Sequence, residues 1–120
     1  MAVEIEHRSD CLYVRMAGEY VEDMPAESRP TSMAKACHDG NYRCLLVDIR
    51  DVTGEIGSGV YFRRGEETAN AFAFNVIRIA VVGTAERMSR LLSFENLVTN
   101  RGIILKVFTD IDKATEWLVK

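Results

Sequence analysis

The residues with the most chemical potential stand close together: Asp48, Asp51 and Ser58, with Thr53, Gly54, Gly57 and Gly59 among them. Two carboxylates at the end of an apolar run and a serine between two glycines could hold a ligand, supply a nucleophile or receive a phosphate. Each of these chemistries needs a companion. Transfer or hydrolysis through Ser58, Asp48 and Asp51 needs a base, and no recognisable motif sets a histidine or lysine beside them. A phosphate cradle needs Gly-Lys-Ser/Thr or the Gly-x-Gly-x-x-Gly spacing, and Gly54, Gly57 and Gly59 supply neither. His7 and His38 lie far apart without a metal-ligand pattern. The expectation is a non-enzymatic chain without metal or cofactor.

The simpler roles come from local backbone chemistry. Asp48 and Asp51 suit a turn in which side-chain oxygens accept backbone hydrogen bonds. Ser58 suits the N-cap of a following helix, a role worth about 1 kcal/mol. A phosphate on Ser58 would face the positive helix end and change the surface charge without unfolding the domain, so a switch is the second reading of the same residue. Arg63 and Arg64 follow, then Glu66 and Glu67, a mixture that reads as a solvated helix face.

These residues need elements to hold them. With 120 residues the chain is one domain by size and can bury a core without metals or cross-links. A formal charge of −3 gives no electrostatic reason to expect nucleic acid. Cys11, Cys37 and Cys44 are odd in number, widely spaced and set among apolar residues, which predicts reduced core thiols in an intracellular compartment. No basic-then-apolar leader opens the chain, and no apolar run approaches the ~20 residues of a membrane span, so a cytoplasmic protein that is not transmembrane is expected.

Val3, Ile5 and His7 alternate with Glu4, Glu6 and Arg8, and Leu12, Val14 and Met16 alternate with Cys11, Tyr13 and Arg15, the pattern of an antiparallel hairpin. A short helix begins near Ser28 to Thr31 and ends at Gly40; a third strand spans Tyr42 to Ile49. A helix starting at Ser58 carries Tyr61, Gly65, Thr68, Ala69 and Phe72 on one side, with Gly65 marking close packing. Val76 to Gly83 is apolar on both faces and is expected in the middle of the sheet. Leu91, Phe94, Leu97 and Val98 mark a third helix closed by Gly102; Ile103 to Phe108 is a fifth strand. Thr109 or Asp110 then caps a helix bearing Ile111, Ala114, Trp117 and Leu118. The predicted fold is a single-domain α/β sandwich: a mixed five-stranded sheet, hairpin first and parallel strands after, with about four helices.

This order of elements resembles the STAS domain of bacterial anti-anti-sigma factors and sulfate transporters. The family motif Asp-Leu-Ser-x-Leu-x-x-x-Asp-Ser-Ser-Gly lies without a gap over residues 48–59, with Ser58 on the family's phosphorylated serine, Ile56 on its acid and Gly57 on its first serine. Arg78-Ile79-Ala80-Val81-Val82-Gly83 and the ending from Val107 to Leu118 are similar to a divergent branch of uncharacterised STAS-like proteins related to CRAL-TRIO lipid-binding domains. The resemblance implies a regulatory module like an anti-sigma factor antagonist, docking a protein partner such as an anti-sigma factor or kinase through Asp48, Asp51, Thr53, Gly54, Gly57, Ser58 and Gly59. The lipid-binding side implies an alternative, a carrier or sensor of a small apolar ligand in a pocket lined by Tyr61, Phe72, Phe94 and Trp117. The amphipathic early strands leave a face on which a homo-oligomer could form.

Overall fold

The computed structural model describes residues 1–75 and 77–120. Strands β1 (Ala2–Arg8) and β2 (Cys11–Glu19) form the antiparallel hairpin, with Ser9 at φ 43° in the two-residue turn. A short 3-10 helix leads into α1 (Pro30–Asp39), where Pro30 occupies the first turn that needs no N–H from it. Helix α1 stops at Gly40, which keeps a right-handed conformation (φ −88°), so the chain reversal falls on Asn41 at φ 55°. Then come β3 (Cys44–Thr53), α2 (Ser58–Ala71), β4 (Arg78–Val82), α3 (Met88–Thr99), β5 (Ile104–Phe108) and α4 (Ile111–Leu118). Asp110 caps α4, its carboxylate accepting from the N–H groups of Asp112 and Lys113, and Gly102 turns the chain out of α3 at φ 88°.

The sheet order is β1-β2-β3-β4-β5, antiparallel only between β1 and β2. The predicted mixed sheet is therefore present, but β3 rather than β4 is its middle strand. Both strands are apolar on both faces, and the fourth-strand pattern did not distinguish the centre from the place beside it. The start of that prediction, Val76, lies outside the described residues.

Alternation along the strands divides two cores. Leu12, Val14, Leu45, Val47, Ile79, Val81, Leu105 and Val107 face α1, α2 and α3; Leu46, Ala80 and Val82 face α4 with Ala114 and Leu118. One short helix cannot cover five strands, so on the α4 side β2 is only half-covered, through Cys11 and Tyr13, and β1 is exposed. On the other side Val3 is only half-buried and Ile5 and His7 are exposed, so β1 has a weaker buried face than its alternation predicts. The close packing expected at Gly65 is present: a Cβ there would stand 2.6 Å from Leu97 Cδ2 on α3.

The cysteine expectation fails for two of three residues. Cys11 and Cys44 are direct partners across β2 and β3, with Cα atoms 4.5 Å apart, and form a disulfide. Thirty-three positions separate them in sequence, and only the parallel register brings them opposite each other. Cys37 remains a free thiol buried on α1, where desolvation of the thiolate pushes its pKa up to about 11.

Candidate functional site

The end of β3 carries one residue more than β2 opposite it: Arg15 pairs with Asp48 and Ala17 with Asp51. This bulge changes which side chains share a face. Asp48 and Asp51, three apart, would point to opposite sides of a regular strand, yet both approach Arg15, while Ile49 and Val52 both turn to the side of α1–α3. Asp48 is buried, its side chain 5% exposed, and accepts from Arg50 Nε (3.0 Å), Arg50 Nη2 (2.9 Å) and the Arg50 backbone N–H (3.1 Å). Asp51 pairs with Arg15 Nη2, whose other amino group lies 3.5 Å from Glu4. Both acids are thus engaged with arginines on the α4 side of the sheet, which suits anchoring more than proton transfer.

Burial alone would raise the Asp48 pKa, but the Arg50 hydrogen bonds and charge outweigh it and hold the carboxyl below its ordinary value of 3.8. A carboxyl with a depressed folded-state pKa stabilises the fold above its unfolded value and loses that contribution as pH falls through the folded one. Asp48→Asn is therefore expected to flatten the acid limb of the stability profile below about pH 4, measured by urea unfolding from pH 2 to 7. Arg50→Ala, which leaves the buried carboxylate with the backbone N–H alone, is expected to cost about 1–2 kcal/mol at pH 7. An acid limb unchanged in Asp48→Asn would remove this pair from the pH account.

Beyond the bulge the chain enters the loop. Gly54 takes a left-handed conformation (φ 88°), and a Cβ there would lie 3.3 Å from Glu19 Cγ. Two arginines at the start of α3, which follows β4 in the chain, hold this segment by its carbonyls. Arg87 Nη2 donates to Val52 O (3.1 Å) and Gly54 O (2.9 Å), and Arg90 Nη1 donates to Ile56 O (2.6 Å). The Tyr20 N–H completes the hold on Thr53 O at 2.9 Å. The glycines provide backbone freedom, and the arginines limit it.

Ser58 does not cap α2. Gly57 is the N-cap, its carbonyl accepting from Val60 and Tyr61, and Ser58 is the first helical residue, exposed and without a side-chain capping bond. The chain turns one residue earlier than the serine pattern suggests, because glycine also serves at that position. The hydroxyl is consequently uncommitted. It stands at the rim of a groove between α2 and α3 lined by Ser58, Gly59, Phe62, Ser89, Arg90 and Phe94. Phe62 is 56% exposed there, a large apolar ring at the water boundary.

The arginines after it divide in role. Arg63 remains on the surface and meets Glu22 at 3.1 Å, whereas Arg64 is largely covered, contrary to the solvated face expected of it. Its Nη1 meets both Glu67 oxygens at 3.0 Å, and its Nη2 reaches Glu22 O and the Tyr20 hydroxyl.

Behind α2 lies a cavity of about 140 Å³ between the sheet and α1–α3. Tyr61, Phe72 and Phe94 line it, together with Val52 from the end of β3 and Ile56 from the loop. Trp117 does not. It lies on α4 across the sheet, 5.8 Å from Phe108 between ring centroids, with its carbonyl accepting from Arg78. The sequence pattern placed four aromatics on helix faces but held no information on which side of the sheet each helix would pack.

No protein-family model and no curated protein matches the sequence. Solved structures do match. An anti-sigma factor antagonist from Mycobacterium paratuberculosis superposes with a TM-score of 0.60 at 15% identity over 99% of this chain and 94% of its own. An uncharacterised DUF3478-family protein with a SpoIIAA-like fold from Shewanella loihica PV-4 superposes with a TM-score of 0.56 at 20% identity over 98% and 92%. The fold is SpoIIAA-like. At such identities the likeness is one of fold, and neither neighbour is described as a CRAL-TRIO protein.

The residues expected in one loop are spread over three elements: Asp48, Asp51 and Thr53 belong to β3, Gly54 and Gly57 to the loop after it, and Ser58 and Gly59 to the first turn of α2, and they lie on two sides of the SpoIIAA-like sheet. The acids belong to the α4 side and Ser58 to the α2–α3 groove. Arg87 and Arg90, more than thirty residues downstream, escaped the sequence reading; their spacing of three in a helical segment was the available signal. His7 bonds the Tyr42 hydroxyl at the sheet edge and His38 is exposed on α1, both remote from this loop. Among the described residues no group of three His, Cys, Asp or Glu side chains could hold a metal ion, and no helix is long and apolar enough to cross a membrane.

Proposed function

We propose that this chain is a single STAS-like regulatory module that docks a protein partner through residues 52–59 and the first turns of α2. The observation that carries the reading is the exposed, uncapped Ser58 at the rim of the groove that presents Phe62. A large aromatic ring left exposed in a groove is the kind of residue that anchors a protein interface. The fold shared with an anti-sigma factor antagonist supports a partner of anti-sigma-factor or kinase type, and a non-enzymatic role. Phosphate on Ser58 would add charge at this groove and weaken docking by desolvation, while the helix end keeps the modified chain folded.

Affinity capture from cells that express the protein tests this. Ser58→Glu and Phe62→Asp are each expected to reduce recovery of a partner at least about tenfold, with Val119→Asp, remote on the C-terminal segment, unchanged. Equal recovery by all four proteins would sink the docking surface. A second reading, a carrier or sensor of a small apolar ligand, is supported by the cavity behind α2.

A further inference from the structure

The walls of the cavity are almost wholly apolar, built from residues such as Met33, Val47, Phe72, Val81, Leu91 and Leu105. Its few polar neighbours are mostly spent. Ser28 Oγ donates to Pro25 O (2.7 Å), Thr68 Oγ1 donates to Arg64 O (2.7 Å), and the Tyr20 hydroxyl accepts from Arg64. Two groups are left over. Among the described residues the buried Tyr61 hydroxyl and Arg64 Nε have no hydrogen-bond partner, and both residues line the cavity. Tyr61 is only 9% exposed, and a buried donor without a partner is uncommon enough to require a reason.

Water alone leaves most of the space unexplained, since away from these two donors the wall is methionine and branched side chains with little to hold it. Size points elsewhere. An engineered apolar cavity of about 150 Å³ stays dry and takes benzene, and this one is of about 140 Å³.

We infer that the cavity binds a single-ring aromatic molecule carrying one hydrogen-bond acceptor, the ring filling the apolar space and the acceptor receiving a hydrogen bond from the Tyr61 hydroxyl. Arg64 Nε is the other orphaned donor of a residue that lines the cavity. The inference rests on the reading of the cavity as a ligand site and adds the ligand's class and the group that recognises it.

Methyl NMR of the full chain titrated with phenol, and separately with toluene, provides the test. Saturable shifts of the Val47, Val81 and Leu105 methyls are expected with both probes. In Tyr61→Phe, which keeps the ring, phenol affinity is expected to fall about fivefold relative to toluene, the equivalent of one neutral hydrogen bond. Val47→Ile combined with Val81→Ile fills the space with residues that suit strands and is expected to abolish the Leu105 shift for both probes. No saturable shift in the wild type, or shifts that persist in the filled variant, would overturn the inference together with the carrier reading. Binding of both probes with an unchanged phenol-to-toluene ratio in Tyr61→Phe overturns the inference alone.

Discussion

Phe72→Ala is expected to lower the unfolding free energy by about 3–5 kcal/mol, the range for removing a buried phenylalanine ring. Phe72 is 1% exposed at the C-terminal end of α2 and packs in the larger core. The ring also borders the existing cavity, so its loss enlarges a void that neighbouring side chains already fail to close, and little relaxation can offset the cost. A domain whose whole stability is about 5–15 kcal/mol would lose a large part of it. Urea unfolding should show a lower midpoint with an unchanged slope. Phe94, which is half-buried on α3, should lose less on the same substitution. A cost in Phe72→Ala no greater than in Phe94→Ala would mean that Phe72 lines a space the protein can spare.

Reduction of the Cys11–Cys44 disulfide is expected to cost about 3–4 kcal/mol, from the chain entropy returned to the unfolded state by opening a loop of this length. The closed segment, 33 residues in separation, contains α1 and the crossover that makes β2 and β3 parallel. The link therefore staples the first parallel pair of the sheet. Urea unfolding with and without reductant measures the difference, and Cys11→Ser should show the reduced stability in both conditions. Thiol counting on denatured, unreduced protein provides the direct check: Cys37 alone should react. Three reactive thiols would falsify the cross-link.

The sequence disclosed most where a signal was local and repeated. Leu12, Val14 and Met16 alternate and are buried; Tyr61, Gly65, Thr68, Ala69 and Phe72 recur at helical spacing and are buried; Gly102 and Asp110 end and start helices as their chemistry requires. Less was legible where two distant stretches had to be compared. The Cys11–Cys44 pair, the bulge that turns Asp51 toward Arg15, and the hold of Arg87 on the Gly54 carbonyl each depend on register or packing, which no window of neighbouring residues contains. Ser58 failed by a single position, since serine at the first helical residue and serine at the N-cap differ only in where the backbone turns. Trp117 failed by side of the sheet, because an amphipathic helix announces that it packs but not on which layer.

The five strands stand in the sheet in the order in which they occur in the chain. Each new strand needs only the one made immediately before it as a template, so no strand has to wait for a distant part of the polypeptide or be inserted between two others. Assembly can follow the order of synthesis: the hairpin of β1 and β2 closes over the shortest loop, and each crossover then adds one strand to the same sheet. The order also fixes which intermediate is exposed at each stage. Until β3 arrives, the edge of β2 that carries Cys11 is unpaired, and β3 is the strand that covers it.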